Sequence, residues 1–348
     1  MEDSQTYKKF NFTVKSSIKN YDVIFDTFEN TIDIQDGDCI IIDSNININI
    51  ECDNIIKIDS GETKKEYSHI FNIINRIVDN GFKRNNRLIA IGGGVVQDIT
   101  GFISSILYRG VEWVFYPTTL LAQGDSCIGS KTSINLGKYK NLVGNFYPPS
   151  KIIIDSNFLI GLPEKQMISG IGEMTHYFLI DGKDSFDYIN RNHNDFTNLD
   201  ETTHRSLMIK KRMVEIDEFD QKERKIFNYG HSFGHAIETI TNYEIPHGIA
   251  VSYGMSISNY VSYKLGYLSF DEYLEMESLL KKIYSYIDLA KFDIDEYIEI
   301  LKKDKKNVGS DLGLILTKGM GNMFLEQISV DRVYDFINYK IKELNGRL

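Results

Sequence analysis

Residues 87–102, RLIAIGGGVVQDITGF, restrict the fold more than any other stretch of the chain. The run from Leu88 to Ile91 is apolar without alternation, the pattern of a strand buried on both faces. It breaks at Gly92, Gly93 and Gly94, and a helical stretch follows. A buried strand feeding a helix through glycine is the repeating unit of a doubly wound parallel sheet. DCIIIDS (38–44), VEWVFYPTTL (111–120) and KIIIDSNFL (151–159) read as further strands. EYSHIFNIINRIVDNGF (66–82) has helical spacing and a stop at Gly81. The Asn-Ile alternation at 45–50 fits a strand and, equally, a compositional bias.

After LPEKQ (162–166) the pattern changes, and nearly everything from 167 to 300 reads as helix, including SLMIKKRMVEIDEF and DEYLEMESLLKKIYSYI. Residues 311–328 look like a small strand pair. The expected architecture is a Rossmann-like doubly wound α/β domain over 1–165 and a helical domain over 166–348. Two domains also suit a length of 348 residues, which exceeds the ~100–200 typical of one. A net charge of −10 argues against binding nucleic acid or an anionic membrane. Cys39, Cys52 and Cys127 are odd in number and lack CxxC spacing, which fits a reducing compartment. The first residues, MEDSQTYKKFNF, contain no apolar core of a signal peptide, and no run reaches the ~18 apolar residues of a membrane span. A cytoplasmic protein is expected.

Four stretches could carry chemistry. Gly92, Gly93 and Gly94 would admit backbone N–H groups to a pyrophosphate at a helix N-terminus, although the motif is not GxGxxG and a tight turn explains it as well. PTTLLAQGDSCIGSKTSINLGKYKNLVGNFYPP (117–149) sets Asp125, Ser126, Lys131, Thr132, Lys140 and Asn141 among glycines, a composition that could wrap an anion or merely form a solvated loop. GIGEMTHYFLI (170–180) places Glu173 and His176 one helical turn apart. Inside an apolar helix Glu173 must find a partner; at an exposed first turn it needs none. NYGHSFGHAIE (228–238) puts His231 and His235 on one helical face. Zinc would accept His, His and Glu with one open position, while the alternative is one core and one exposed histidine. Gly230 and Gly234 imply that something approaches closely, because glycine in a helix costs up to ~1 kcal/mol. His247, in PHG, holds a fixed position suited to a third ligand.

Taken together, GGGVVQDITGF, PTTLLAQGDSCIGSKTSIN, KNLVGNFYPP, NYGHSFGHAIE and PHGIAVSYGM resemble the 3-dehydroquinate synthase family of sugar-phosphate cyclases, from about residue 40 to about 325. The resemblance implies an NAD-binding α/β domain and an all-helical metal-binding domain. The metal, Zn2+ or Co2+, would be held by Glu173, His231 and His247, which leaves His235 beside the substrate to assist proton movement. Asp43, Glu62, Lys65, Gly93, Gly94, Asp98, Thr118, Thr119 and Phe158 would serve the nucleotide. Lys131, Lys210, Arg224 and Asn228 join His235 as catalytic residues, and Arg109, Asp125, Lys140, Asn141, His176, Lys305 and Lys306 would bind a phosphorylated sugar.

The implied activity converts 3-deoxy-arabino-heptulosonate 7-phosphate to 3-dehydroquinate, a shikimate-pathway step, with NAD reduced and reoxidised in each turnover. A homodimer is usual for the family. There are departures: His176 replaces the usual Lys, Asp220 a Glu, Ile249 a common Glu, and GSKT stands for GGKT. The span from Asp43 to Gly61 is too short for the helix normally found there. Arg224, at the position expected to meet a substrate carboxylate, is retained. The alternatives are a sister cyclase on another sugar phosphate, a polyol dehydrogenase, and a silent nucleotide- or metal-binding relative.

Overall fold

In the computed structural model the described residues are 8–346, apart from Ser60, Lys138, 304–306 and 308–310. They form two compact units. One comprises the chain up to Leu162 together with Asn198–Phe219; the other comprises Pro163–Thr197 and the chain from Asp220 onward.

The first unit is built on a seven-stranded sheet in the order β1-β2-β9-β6-β5-β3-β4. Its strands are β1 (Phe12–Val14), β2 (Tyr21–Phe25), β3 (Cys39–Asp43), β4 (Ile55–Ile58), β5 (Leu88–Gly92), β6 (Trp113–Pro117) and β9 (Lys151–Ile154). Only β1 runs antiparallel to its neighbour. Alternation within β3 explains the unbroken isoleucines. Cys39 and Ile41 enter one core with α1 (Tyr67–Asp79) and α2 (Gly94–Ile106), while Ile40 and Ile42 enter a second core on the opposite face.

The Asn-Ile stretch at 45–50 is not a strand. The edge place beside β3 is taken by β4, and Ile46, Ile48 and Ile50 cover the second core instead. Among the described residues no helix lies between Asp43 and Gly61, in line with the short span. Helix α5 (Leu199–Ile216) sends Leu207 and Val214 into the first core and sets His204 against the rings of Phe10, Phe12 and Phe25. A separate antiparallel hairpin, β7 (Lys131–Leu136) and β8 (Tyr139–Phe146), occupies much of the glycine-rich segment.

The second unit is helical: α3 (Glu164–Asp181), α4 (Lys183–Asn192), α6 (His231–Ile240), α7 (His247–Lys264), α8 (Phe270–Tyr284), α9 (Ile294–Leu301) and α10 (Val330–Leu344). It also carries one hairpin, β10 (Asp311–Thr317) with β11 (Met323–Ser329), where a strand pair was expected. Helix α7 is buried from Gly248 to Ser262, because α3, α6, α8 and α10 all pack on it. Among the described residues no helix is long and apolar enough to cross a membrane.

Candidate active site

Three helices of the second unit meet at glycines, and each crossing lies next to a candidate ligand. A Cβ at Gly248 would lie 1.8 Å from the Ser169 carbonyl oxygen, and one at Gly172 would lie 2.3 Å from the Gly248 oxygen. A Cβ at Gly254 would lie 1.9 Å from the Gly230 oxygen. Bare backbone therefore lets α3, α6 and α7 approach as larger residues could not. It brings Glu173, His231 and His247, the neighbours of Gly172, Gly230 and Gly248, to one point.

Glu173 lies mid-helix and is 2% exposed, so it is no first-turn surface residue. His231 Nε2 lies 3.4 Å from its Oε1 and His247 Nε2 lies 3.3 Å from its Oε2. One ligand atom from each of the three side chains falls within 4.8 Å of the others. Both histidines open their helices, His231 after Gly230 in the left-handed region and His247 after Pro246.

The outer nitrogens are also engaged. His231 Nδ1 lies 3.1 Å from the Tyr229 carbonyl oxygen, and His247 Nδ1 lies 3.1 Å from Glu238 Oε2. Each Nε2 is thus turned to Glu173. Burial pushes the Glu173 carboxyl up, but His231, His176 and His247 outweigh it and hold the group well below the usual carboxylate range. At His247 burial acts downward, and Glu238 and Glu173 together hold the imidazolium well above the ordinary histidine value. Glu173 Oε2 is buried without a hydrogen-bond donor. Two imidazole nitrogens and a carboxylate that lacks a donor fit a divalent ion such as Zn2+ or Co2+.

Around this cluster, His235 is exposed and its ring lies 5.5 Å from that of His231. His176 is fully buried, with Nδ1 hydrogen-bonded to the Glu173 carbonyl oxygen and 3.4 Å from Oε1. Arg224 is buried in a 3-10 turn, Glu223–Asn228, where Asn228 Nδ2 donates to the Lys225 carbonyl oxygen at 3.0 Å.

In the first unit the expected nucleotide residues gather at the carboxyl ends of parallel strands. Asp43 ends β3, the glycines end β5, Thr118 and Thr119 follow β6, and Phe158 follows β9. The chain places β4 on one side of β3 and β5 on the other, so β3 and β5 flank the switch point where such sheets bind ligands. Thr118 N–H donates to the Gly92 oxygen at 3.0 Å, which draws the loop after β6 toward the glycine turn. A Cβ at Gly93 would meet Thr119 Cγ2 at 2.9 Å, whereas at Gly94 nothing lies within 4 Å. The open space beside Gly94, at the first turn of α2, is a cradle that a pyrophosphate fits and a side chain would occupy.

Other expected residues are bonded to one another. Lys65 is buried, with Nζ 2.7 Å from Asp98 Oδ2, 3.3 Å from Glu62 Oε1 and 2.5 Å from Asn141 Oδ1. Burial acts to lower the Lys65 pKa, but the two carboxylates raise it. Lys210 Nζ donates to Asp125 Oδ1 and to the Asp125 carbonyl oxygen, both at 2.7 Å. Lys131, Lys140 and Arg109 are exposed, and Tyr108, Arg109 and Gly110 are consecutive residues with φ of 50°, 66° and 117°. Lys305 and Lys306 lie outside the described residues.

Residues 55–169 match the description of the 3-dehydroquinate synthase N-terminal domain, and residues 170–307 match that of the C-terminal domain. The chain belongs to the 3-dehydroquinate synthase family. A 3-dehydroquinate synthase from Alkaliphilus metalliredigens (strain QYMF) is 38% identical over 269 residues, 76% of each chain. Among solved structures, the chain is similar to a 2-deoxy-scyllo-inosose synthase complexed with carbaglucose-6-phosphate, NAD+ and Co2+. The TM-score there is 0.85 at 25% identity, covering 94% of this chain and 99% of that one. A 2-epi-5-epi-valiolone synthase from Streptomyces hygroscopicus subsp. jinggangensis 5008, with NAD+ and Zn2+ bound, shares the fold. Its TM-score is 0.79 at 21% identity, covering 97% of this chain and 99% of that one.

In this member of the 3-dehydroquinate synthase family, reasoning from sequence overlooked Glu238. A signal was available: His231, His235 and Glu238 are spaced four and three apart, one continuous helical face.

Proposed function

We propose that this protein is an NAD- and divalent-metal-dependent sugar-phosphate cyclase that converts 3-deoxy-arabino-heptulosonate 7-phosphate to 3-dehydroquinate and inorganic phosphate. The observation that carries the reading is the buried Glu173 carboxylate with the Nε2 atoms of His231 and His247 turned to it. Glu173, His231 and His247 would hold the ion, and the Gly93–Gly94 turn would hold the NAD pyrophosphate. When bound, NAD takes up and returns a hydride at one ring carbon, and the ion polarises that carbon's oxygen as a Lewis acid.

The chain's own residues do the rest. Lys131, Lys140, Asn141 and Arg109 would bind the phosphate, so that its binding energy holds the reacting carbons in place. The Arg224 guanidinium suits a carboxylate because its planar fork donates two parallel hydrogen bonds. Lys210, paired with Asp125, would supply a positioned cation. His235, exposed beside the ligand histidines, would carry protons between substrate and water. Three free cysteines agree with cytoplasmic placement, and we take the working form to be a homodimer.

One observation favours a sister substrate. His176, where relatives usually carry Lys, is buried against Glu173 and supplies no long flexible cation. A phosphate-release assay over a panel of sugar phosphates separates the readings. Release from the heptulosonate phosphate without net NADH supports the synthase. Preference for a hexose 6-phosphate supports a sister cyclase, stoichiometric NADH a polyol dehydrogenase, and ion binding with neither product a silent relative.

A further inference from the structure

The two imidazoles at the candidate ion site are oriented by different partners. His231 Nδ1 meets a backbone carbonyl oxygen, that of Tyr229, while His247 Nδ1 meets a carboxylate, that of Glu238, each at 3.1 Å. Carbonyl and carboxylate oxygens both accept, so each Nδ1 carries the hydrogen and each Nε2 keeps the lone pair that a metal requires. The backbone partner contributes a dipole alone. Glu238 contributes a full negative charge from a part-buried position.

We propose that Glu238 is a positioning residue that fixes the tautomer of His247 and sets the affinity of the site for its ion. This rests on the reading that Glu173, His231 and His247 hold a divalent cation. Two features support it. Glu173 alone offers one negative charge against two positive ones, and Glu238 brings the cluster to neutrality, which matters beside a carboxylate as buried as Glu173. In addition, Glu238 stands one turn beyond His235 on α6, so the element that delivers His231 also delivers the partner of His247.

One competing use of these atoms exists. Ligand atoms of His235, Glu238 and His247 also lie within 4.8 Å of one another and could hold an ion of their own. Held through His247 Nδ1, that ion would take the atom that Glu238 already engages. The two uses exclude each other, and the hydrogen-bond distance favours the orienting role.

The test uses the full chain, stripped of metal and titrated with Zn2+ alone and with Co2+ alone. Wild type is expected to bind one ion per chain. Glu238→Gln keeps an acceptor but loses the charge, and should bind Zn2+ roughly 10–100-fold more weakly. Glu238→Ala loses both and should be weaker still, with an altered Co2+ visible spectrum. Glu238→Asp should fall between wild type and Gln. Nitrogen-15 spectra of the metal-free protein, recorded at a pH above the His247 titration where the imidazole is neutral, should show hydrogen at Nδ1 in wild type and a mixture of tautomers in Glu238→Ala, a change that a purely structural role would not produce.

Should the Ala variant fail to fold, the Gln and Asp titrations still decide. Equal affinity in wild type and Glu238→Gln overturns the proposal, and so does a stoichiometry of two ions in wild type. If wild type binds no ion, the ligand assignment beneath it falls as well.

Discussion

The two units build their candidate sites by opposite means. In the helical unit the site is made of side chains. A buried carboxylate and two imidazoles converge because glycines at Gly172, Gly230 and Gly248 let three helices approach through backbone. In the sheet unit the cradle is made of backbone, an open turn at Gly94 where nothing lies within 4 Å, and the neighbouring Lys65 is already engaged by the carboxylates of Asp98 and Glu62. The first arrangement concentrates ligands for a cation; the second has its lysine already paired and presents space. Gly248 therefore protects the fold, whereas Gly94 protects a ligand's place.

Lys65→Met should give the largest loss of stability. It strands Asp98 and Glu62 beside a buried position, and about 3 kcal/mol is expected in denaturant unfolding. This is the low end of the range for a broken buried pair, because the Asp98 side chain is 22% exposed. Glu173→Ala should behave in the reverse way. Removing a carboxylate that lacks a donor should leave the ion-free protein within about 1 kcal/mol of wild type at a pH where the histidines are neutral. Zn2+ affinity should nevertheless fall by more than ~100-fold, beyond the cost of an outer-shell partner. A loss of stability comparable to that of Lys65→Met would erase the contrast between the units.

A pair of glycine substitutions sharpens the same point. Gly248→Ala would place its Cβ 1.8 Å from the Ser169 oxygen, so unfolding measurements should register about 1–3 kcal/mol, with His247 displaced. Gly94→Ala meets no atom within 4 Å, so the melting temperature should hold while NAD binding weakens about tenfold, or ~1.4 kcal/mol. Unchanged NAD affinity in the second variant would remove Gly94 from the cradle.

The smallest expected effect is a dependence on pH. Glu173, held below its ordinary 4.5, stabilises the ion-free fold above that value, and this contribution is lost as pH falls through the lowered one. His247, held above 6.5, contributes fully below 6.5 and loses its contribution as pH rises through the raised value. Zn2+ requires that proton to leave. The rise in melting temperature on adding Zn2+ should therefore grow from about pH 6 to about pH 8. A constant or shrinking rise would detach His247 from the ion.

The parts legible in sequence were those whose pattern is local. The glycine turn after Ile91, the i,i+4 histidines and the run of β3 each declare themselves within a few residues, since periodicity and turn chemistry are short-range. What stayed hidden depended on distant partners. Alternating isoleucines at 45–50 look like a strand, yet β4 holds the edge beside β3 and they became a cover. The apolar face of α5 says that the helix is buried but not against which layer, and Leu207 and Val214 join the sheet's core. Gly230 and Gly234 rightly announced a close approach, and only the fold disclosed that the approaching object is the backbone of α7.

The sequence by itself determined the alternation of strands and helices, the family and the residue types able to hold an ion and a pyrophosphate, because these follow from local spacing and chemistry. Tertiary structure alone decided that Glu173 lacks a hydrogen-bond donor at Oε2, that Lys65 is bonded to its neighbours, and that Glu238 orients His247. Burial and partner distance are properties of segments far apart in the chain, and no spacing along the sequence encodes them.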